Sequence, residues 1–320
     1  MVQASDRFET VALVGTGVIG RGWIRVFAPR CRVRLYDPDP EQSSAAMRRL
    51  EEDLAADRAE GFISTFEAAR ILDRVERATD LGAALENCQW VQESAPERLD
   101  AKRALFAELD RRAPQDAIIA SSTSALDPAA LFEDLPGARR CLIAHPFNPP
   151  HVIPVVEVLP SPATDPAVED AAAAFLESCG RRPVRMRRYV PGFLGNRIQA
   201  AVIREALHLV ETGVADAASV DAVIRDGLAL RWATIGNFGA NHTNAEGGIA
   251  QYFARYGEAY RTLMSDLDSA PPDFDSKTLE AIGAAVETRE NVSGPEDLAR
   301  KRDRMIKKLL RLREESPLGH

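Results

Sequence analysis

The sequence predicts an α/β protein: a doubly wound, mostly parallel sheet in its first part, followed by an all-helical domain. Two observations carry this. As far as about residue 190, short apolar runs alternate with charged stretches of helical pattern, as strands joined by crossover helices do. Beyond Pro191 the helical spacing continues and no strand pattern returns. The expected domains are therefore 1–190 and 191–320.

The elements follow in order. VALVG (11–15) is a continuous apolar run, which suits a strand buried on both faces. VRLYD (33–37) is a second strand, and 40–59 and 65–77 read as charged amphipathic helices. CQWVQES (88–94) and AIIASS (117–122) are strands around a helix at about 98–112, whose first residues are acidic and whose last are Arg111 and Arg112, the sense that the helix dipole favours. CLIAH (141–145), VVEVL (155–159) and PVRMRR (183–188) complete the strands. Asp165-Pro166 opens a helix that closes at Cys179-Gly180. In the second part, helices are expected at 193–212, 216–228, 245–266, 278–287 and 296–314, with a surface loop at 266–276. The basic last helix reads as a solvated face with one apolar stripe.

Composition narrows the class without naming it. The 320 residues are enough for two domains, and 45% apolar with 28% charged residues is ordinary for a globular chain. The net charge of −8 gives no footprint for nucleic acid. No apolar run is long enough to cross a bilayer, and MVQASDRFET lacks the features of a signal peptide. The four cysteines are far apart and form no C-x-x-C pair, so free thiols in a reducing cytoplasm are expected and a bound metal is not.

Gly15-Thr16-Gly17-Val18-Ile19-Gly20 is a G-x-G-x-x-G, weak when it stands alone. Here it follows the first strand, opens a helix and precedes a second strand ending in Asp37, 17 residues after Gly20. This is the Rossmann arrangement: glycines admit a pyrophosphate, the helix N-terminus stabilises its charge, and the acid takes the ribose hydroxyls. An acid at that place repels a 2′-phosphate, so the expected cofactor is NAD.

Ligands of open α/β sheets bind beyond the carboxyl ends of the strands. Ser121-Ser122-Thr123-Ser124 and His145 stand at such ends. Glu157 sits between valines and leucine in PVVEVL, where a carboxylate is costly to bury without a partner. The proline-rich PFNPP (146–150) can turn the chain back beside its entry strand and bring Glu157 to His145. Such a glutamate fixes the histidine tautomer and leaves the other ring nitrogen to exchange a proton with substrate.

His145-Pro146-Phe147-Asn148-Pro149-Pro150, Glu157 twelve residues after the histidine, and Pro191-Gly192-Phe193 leading to Asn196-Arg197 resemble the 3-hydroxyacyl-CoA dehydrogenase superfamily. The resemblance runs over nearly the whole chain and takes in Val91-Gln92-Glu93, Pro96-Glu97, Asp226-Gly227-Leu228 and Asn244-Ala245-Glu246-Gly247. It implies that His145 is the general acid/base and Glu157 its partner. It also implies that Ser124 and Asn196 hold the substrate oxygen, and that Asn148 supports the loop. Glu97 and Lys102 would join Gly15, Gly17, Val18, Ile19 and Asp37 around NAD. It further implies a helical second domain that forms a homodimer. Gly195 departs from the family, which usually has a larger residue before the Asn-Arg pair. Pro29-Arg30-Cys31 replaces a glycine-bearing turn, and Gly236-Asn237-Phe238 stands where a Gly-Pro pair is common.

Arg231-Trp232 bears on the substrate. By resemblance, members that oxidise gulonate or carnitine carry an arginine and an aromatic residue here, and acyl-CoA members do not. A guanidinium recognises a carboxylate bidentately. Arg231 therefore either binds the carboxylate of a small 3-hydroxy acid, L-gulonate-like, or bridges domains or subunits. A 3-hydroxyacyl-CoA thioester and carnitine are the alternative substrates. The sequence reveals no acidic or aromatic set that would cradle carnitine's quaternary ammonium. A non-catalytic, NAD-binding structural protein is the remaining alternative, and the intact His145, Glu157, Asn196 and Ser124 weigh against it.

Overall fold

The computed structural model describes residues 8–267, 272 and 274–316, with only the backbone at Arg289. The chain divides into two compact units, 1–196 and 197–320.

The first unit holds one eight-stranded sheet. Its strands are β1 Thr10–Val14, β2 Arg32–Tyr36, β3 Val75–Arg77, β4 Trp90–Glu93, β5 Ile118–Ser121, β6 Cys141–Pro146, β7 Val155–Pro160 and β8 Arg182–Arg185. They lie in the order β3-β2-β1-β4-β5-β6-β7-β8. Only the β6–β7 pair is antiparallel. The expected doubly wound, mostly parallel sheet is what forms.

Alternate residues of each strand serve opposite faces of the sheet, because side chains alternate along a strand. Val11, Leu13, Trp90 and Leu142 join one core with α1 (Val18–Phe27), α2 (Pro40–Ala59), α3 (Thr65–Asp73) and α7 (Pro166–Ser178). Ala12, Val14, Val91 and Ile143 join the other with α4 (Leu81–Leu85), α5 (Leu99–Arg112) and α6 (Pro128–Leu131). The first core centres on stacked rings: Trp23 on Phe27 at 5.0 Å and Phe27 on Phe175 at 5.5 Å between centroids. Each such buried ring contributes about 1.5–3 kcal/mol.

Caps fix the helix starts. Asp39 accepts from the Glu41 amide ahead of Pro40, and Ser64 with Glu67 forms a reciprocal capping box. The helix expected at 65–77 stops at Asp73, because Val33, Arg34 and Leu35 of β2 pair with Val75, Glu76 and Arg77. That three-residue edge strand is too short for its alternation to appear in the sequence. The strand pairing overrides the helical pattern.

The second unit is helical. It contains most of α8 (Gly195–Glu211), then α9 (Ala217–Ala222), a π-helical turn over Val223–Leu228, α10 (Ala229–His242), α11 (Gly248–Asp266), α12 (Ser276–Glu290) and α13 (Pro295–Glu314). α10 was not expected, and it is broken at Gly236, where φ is 72°. Part of the loop expected at 266–276 lies outside the described residues. Among the described residues of this unit, only Leu207, Ala240 and Gly248 are fully buried. No helix among the described residues is long and apolar enough to cross a membrane.

Candidate active site

His145 is the next-to-last residue of β6, and Glu157 faces it from β7 as its register partner. Their side chains meet as the sequence suggested: His145 Nδ1 lies 2.7 Å from Glu157 Oε2. Glu157 is 1% exposed and His145 8%. Residues 147–154 make the reversal, with a cis peptide between Asn148 and Pro149. An ionised carboxylate only accepts, so the proton sits on Nδ1 and Nε2 is left as the reactive nitrogen.

The second carboxylate oxygen is committed elsewhere. Glu157 Oε1 accepts from the Leu194 and Gly195 amides at 2.8 and 2.9 Å, at the start of α8. Burial pushes the Glu157 carboxyl up. The hydrogen bonds from His145 and the Gly195 amide, the histidine charge and the Leu194 amide outweigh this and hold it below the usual glutamate range. A carboxyl lowered on folding stabilises the protein at pH above its unfolded value. That contribution is lost as pH falls through the lower folded value. The carboxylate therefore stays ionised through the neutral range.

Two aromatic rings wall the histidine. Phe193 meets it edge-on at 5.5 Å and Phe147 lies at 5.8 Å. The family departure at Gly195 finds its reason here. A Cβ on Gly195 would stand 2.2 Å from Phe147 Cζ, so the glycine makes room for that ring.

Ser124 and Asn196 are brought together, with Asn196 Nδ2 donating to Ser124 O at 3.3 Å. Beneath Ser124 stands a charged network that sequence reading did not assemble. Glu97 accepts from Thr123 Oγ1 at 2.6 Å, the Ser124 amide at 2.8 Å and Ser124 Oγ at 3.3 Å. Lys102 is 1% exposed, with its ammonium 2.5 Å from Glu93 and 3.6 Å from Glu97. Glu93, fully buried at the end of β4, also accepts from Ser121 Oγ and the Ala95 amide. Asn148 is exposed in the β6–β7 connection. Arg231 is exposed on α10 of the second unit, where its charge is felt at the Tyr260 hydroxyl.

The glycine-rich loop lies at the same carboxyl edge of the sheet. Gly15 has φ +92°, and a Cβ there would lie 2.7 Å from Ser94 O, so only glycine fits. Gly17 caps α1 without a side-chain hydrogen bond, and the direction of its absent Cβ is open. Free amides at a helix start, facing open space, suit a pyrophosphate. Asp37, just past β2, accepts from Thr16 N and Oγ1 at 2.8 and 2.9 Å, which ties it to the loop. Val18 is exposed and Ile19 half-buried beside it, while Gly20 is buried in α1. These residues fit a dinucleotide.

Residues 10–189 match the family model for the NAD-binding domain of 3-hydroxyacyl-CoA dehydrogenase, and residues 192–281 match the model for its C-terminal domain. The chain is 36% identical to lambda-crystallin of Oryctolagus cuniculus over 98% of each chain. It is 38% identical to an L-carnitine dehydrogenase of Streptomyces griseus over 96% of this chain and 91% of that one. Among solved structures it resembles 5-formyl-3-hydroxy-2-methylpyridine-4-carboxylic acid 5-dehydrogenase, an NAD+-dependent dismutase. The TM-score is 0.79 at 27% identity, covering 96% of this chain and 99% of that one.

Proposed function

Because the chain belongs to the 3-hydroxyacyl-CoA dehydrogenase family of NAD-dependent oxidoreductases, we propose that it oxidises the C3 hydroxyl of a small free 3-hydroxy acid, L-gulonate-like, using His145 and Glu157 as its proton relay. The observation that carries the reading is the buried 2.7 Å contact between His145 Nδ1 and Glu157 Oε2. It leaves one ring nitrogen for the substrate.

Bound NAD supplies the hydride acceptor. His145 Nε2 takes the hydroxyl proton, and Glu157 stabilises the charge the ring then carries. Ser124 and Asn196 hold the substrate oxygen, and Glu97, steadied by Lys102, holds Ser124. Asn148 supports the connecting loop. Gly15, Gly17, Val18, Ile19 and Gly20 take the pyrophosphate side of the cofactor, Asp37 takes the adenine ribose, and Glu97 and Lys102 complete the edge of that site. Replacing Asp37 with serine should weaken NAD binding by roughly ten- to hundredfold, the worth of a charged hydrogen bond, and narrow the preference over NADP. Fluorescence titration with NADH and NADPH checks this, and an unchanged preference removes Asp37 from the role.

The choice of a free acid rests on Arg231 as a carboxylate partner, and on the similarity to an enzyme named for carnitine, itself a free acid. Replacing Arg231 with methionine should raise KM for a free acid by roughly ten- to hundredfold and spare NAD affinity. An unchanged KM would make Arg231 structural. Carnitine is a second reading with an observation of its own. Tyr252, Tyr256 and Tyr260 recur every fourth residue on α11 and line a cavity of about 430 Å³, the kind of aromatic set a quaternary ammonium needs. NADH production with L-gulonate, L-3-hydroxybutyrate, carnitine and 3-hydroxybutyryl-CoA separates these. Preference for the thioester alone would overturn the free-acid reading and leave the relay intact.

The protein works as a cytoplasmic homodimer in this reading. Among its described residues the second unit buries few apolar side chains: Ile198, Leu230, Phe238, Met264 and Leu312 are 67%, 62%, 77%, 60% and 65% exposed. Apolar surface on that scale marks a protein interface.

A further inference from the structure

A chain of side chains at the carboxyl edge of the sheet ends on a hydroxyl that the proton relay does not use. Ser94 follows β4 and Ser122 follows β5. Strand pairing runs on past the strand ends and holds both backbones: the Ser94 amide donates to Val14 O and the Ser122 amide to Glu93 O, each at 2.8 Å. Both serines are half-buried, and behind them Trp23, Trp90 and Gln92 are fully buried.

Donor and acceptor chemistry fixes the direction of every hydrogen bond in this chain. An indole nitrogen only donates. Trp90 Nε1 donates to the Gln92 side chain at 3.1 Å, so the atom it meets is the amide oxygen, Oε1. The Gln92 amide nitrogen then faces the other way, where it donates to Ser122 Oγ at 2.8 Å and to the Ala144 carbonyl at 3.3 Å. Trp23 Nε1 also donates to Ser122 Oγ, at 3.0 Å. A hydroxyl has two lone pairs and one proton. Both lone pairs of Ser122 are taken, so its proton goes to its remaining partner, Ser94 Oγ, at 2.9 Å. Ser94 therefore accepts, and its own proton points elsewhere. Among the described residues Ser94 Oγ has no other hydrogen-bond partner.

The Ser94 side chain lies against the glycine-rich loop. A Cβ on Gly15 would stand 2.7 Å from Ser94 O, and one on Gly20 3.7 Å from Ser94 Cβ. Strand order reverses between β1 and β4. A dinucleotide lies across the crevice at such a reversal. Asp37, assigned to the adenine ribose, stands past β2 on one side of the loop, and Ser94 stands past β4 on the other.

We propose that Ser94 is a cofactor-binding donor, its proton aimed by Ser122 at an acceptor oxygen in the nicotinamide-ribose half of NAD. A serine that meets only water gains nothing from a fixed proton. Here two buried indoles and a buried amide are committed to fixing one. A donor oriented before its ligand arrives costs less ordering on binding. That role rests on NAD as the cofactor and adds to it a residue and the half of the molecule it holds.

The test is calorimetric titration of the full chain with NADH and, separately, with 5′-AMP, which carries the adenosine half alone. Ser94→Ala keeps the Cβ beside Gly20 and removes only the hydroxyl. It should weaken NADH binding by roughly three- to tenfold, the worth of one neutral hydrogen bond, and leave 5′-AMP binding unchanged. Ser122→Ala should lower the NADH to 5′-AMP affinity ratio in the same way, because it releases the Ser94 proton. The double variant should lower it no further than Ser94→Ala. A wild-type ratio in either single variant, or losses that multiply in the double variant, would overturn the proposal while leaving NAD as the cofactor. A wild-type chain that binds no NADH would overturn both.

Discussion

Replacing His145 with glutamine is expected to lower kcat by about 10²- to 10⁴-fold, the usual worth of a positioned general acid/base. NADH affinity should hold, because His145 lies near the end of β6 while the glycine-rich loop follows β1, three strands away in the sheet. Glutamine fills much of the same volume and remains neutral, so the loss isolates the proton transfer from packing against Phe147 and Phe193. Glu157→Gln removes a charge and not a shape. Its amide oxygen can still accept from the Leu194 and Gly195 amides, as Oε1 does now. The amide nitrogen then faces His145 and favours the tautomer with its proton on Nε2, which cannot accept from an alcohol. Loss of the charge-assisted bond, worth about 1.5–3 kcal/mol, corresponds to roughly ten- to hundredfold in kcat. Steady-state kinetics with NADH titration measures both. A His145→Gln enzyme within a few-fold of wild type would place the chemistry elsewhere.

Lys102→Met should cost about 3–5 kcal/mol of stability, as removal of one member of a buried ion pair does. Glu93 is fully buried and its Oε1 receives both the Lys102 ammonium and the Ala95 amide. Without the ammonium its charge has only uncharged donors, Ser121 among them. Adding Glu93→Gln to Lys102→Met should return part of the stability, because no buried charge then stands alone. Urea unfolding gives the midpoints. A Lys102→Met chain as stable as wild type would show that Glu93 is protonated or hydrated there. The same change should lower kcat, since Glu97 loses a cation 3.6 Å away and its hold on Ser124 loosens.

How much could be read from sequence depended on whether a residue stood out against its own surroundings. Glu157 did: a carboxylate between valines and leucine demands a partner, and the antiparallel return of β7 delivers one. Glu93 carries a weaker form of the signal, because Gln92 beside it already interrupts the apolar run of Trp90–Glu93. Its pairing with Lys102 comes from the start of α5 folding back over the end of β4, which no local pattern announces. β3 was hidden because its three residues continue a helical pattern. α10 was hidden because Gly236 interrupts the periodicity at the very place where the helix kinks. The tyrosines of α11 were legible as a four-residue repeat, but their convergence on one cavity is a matter of helix geometry. In the second unit, apolar spacing gave the helices and could not give their cover, because most of those side chains are not buried within the described chain.

In this reading His145 and Glu157 act as one unit. The most direct test is kcat of the double variant His145→Gln/Glu157→Gln beside the two single variants. Groups that work as a unit give non-additive losses. The relay predicts a double variant no slower than His145→Gln alone. Losses that multiply, with the double variant slower by the further factor seen for Glu157→Gln, would contradict it.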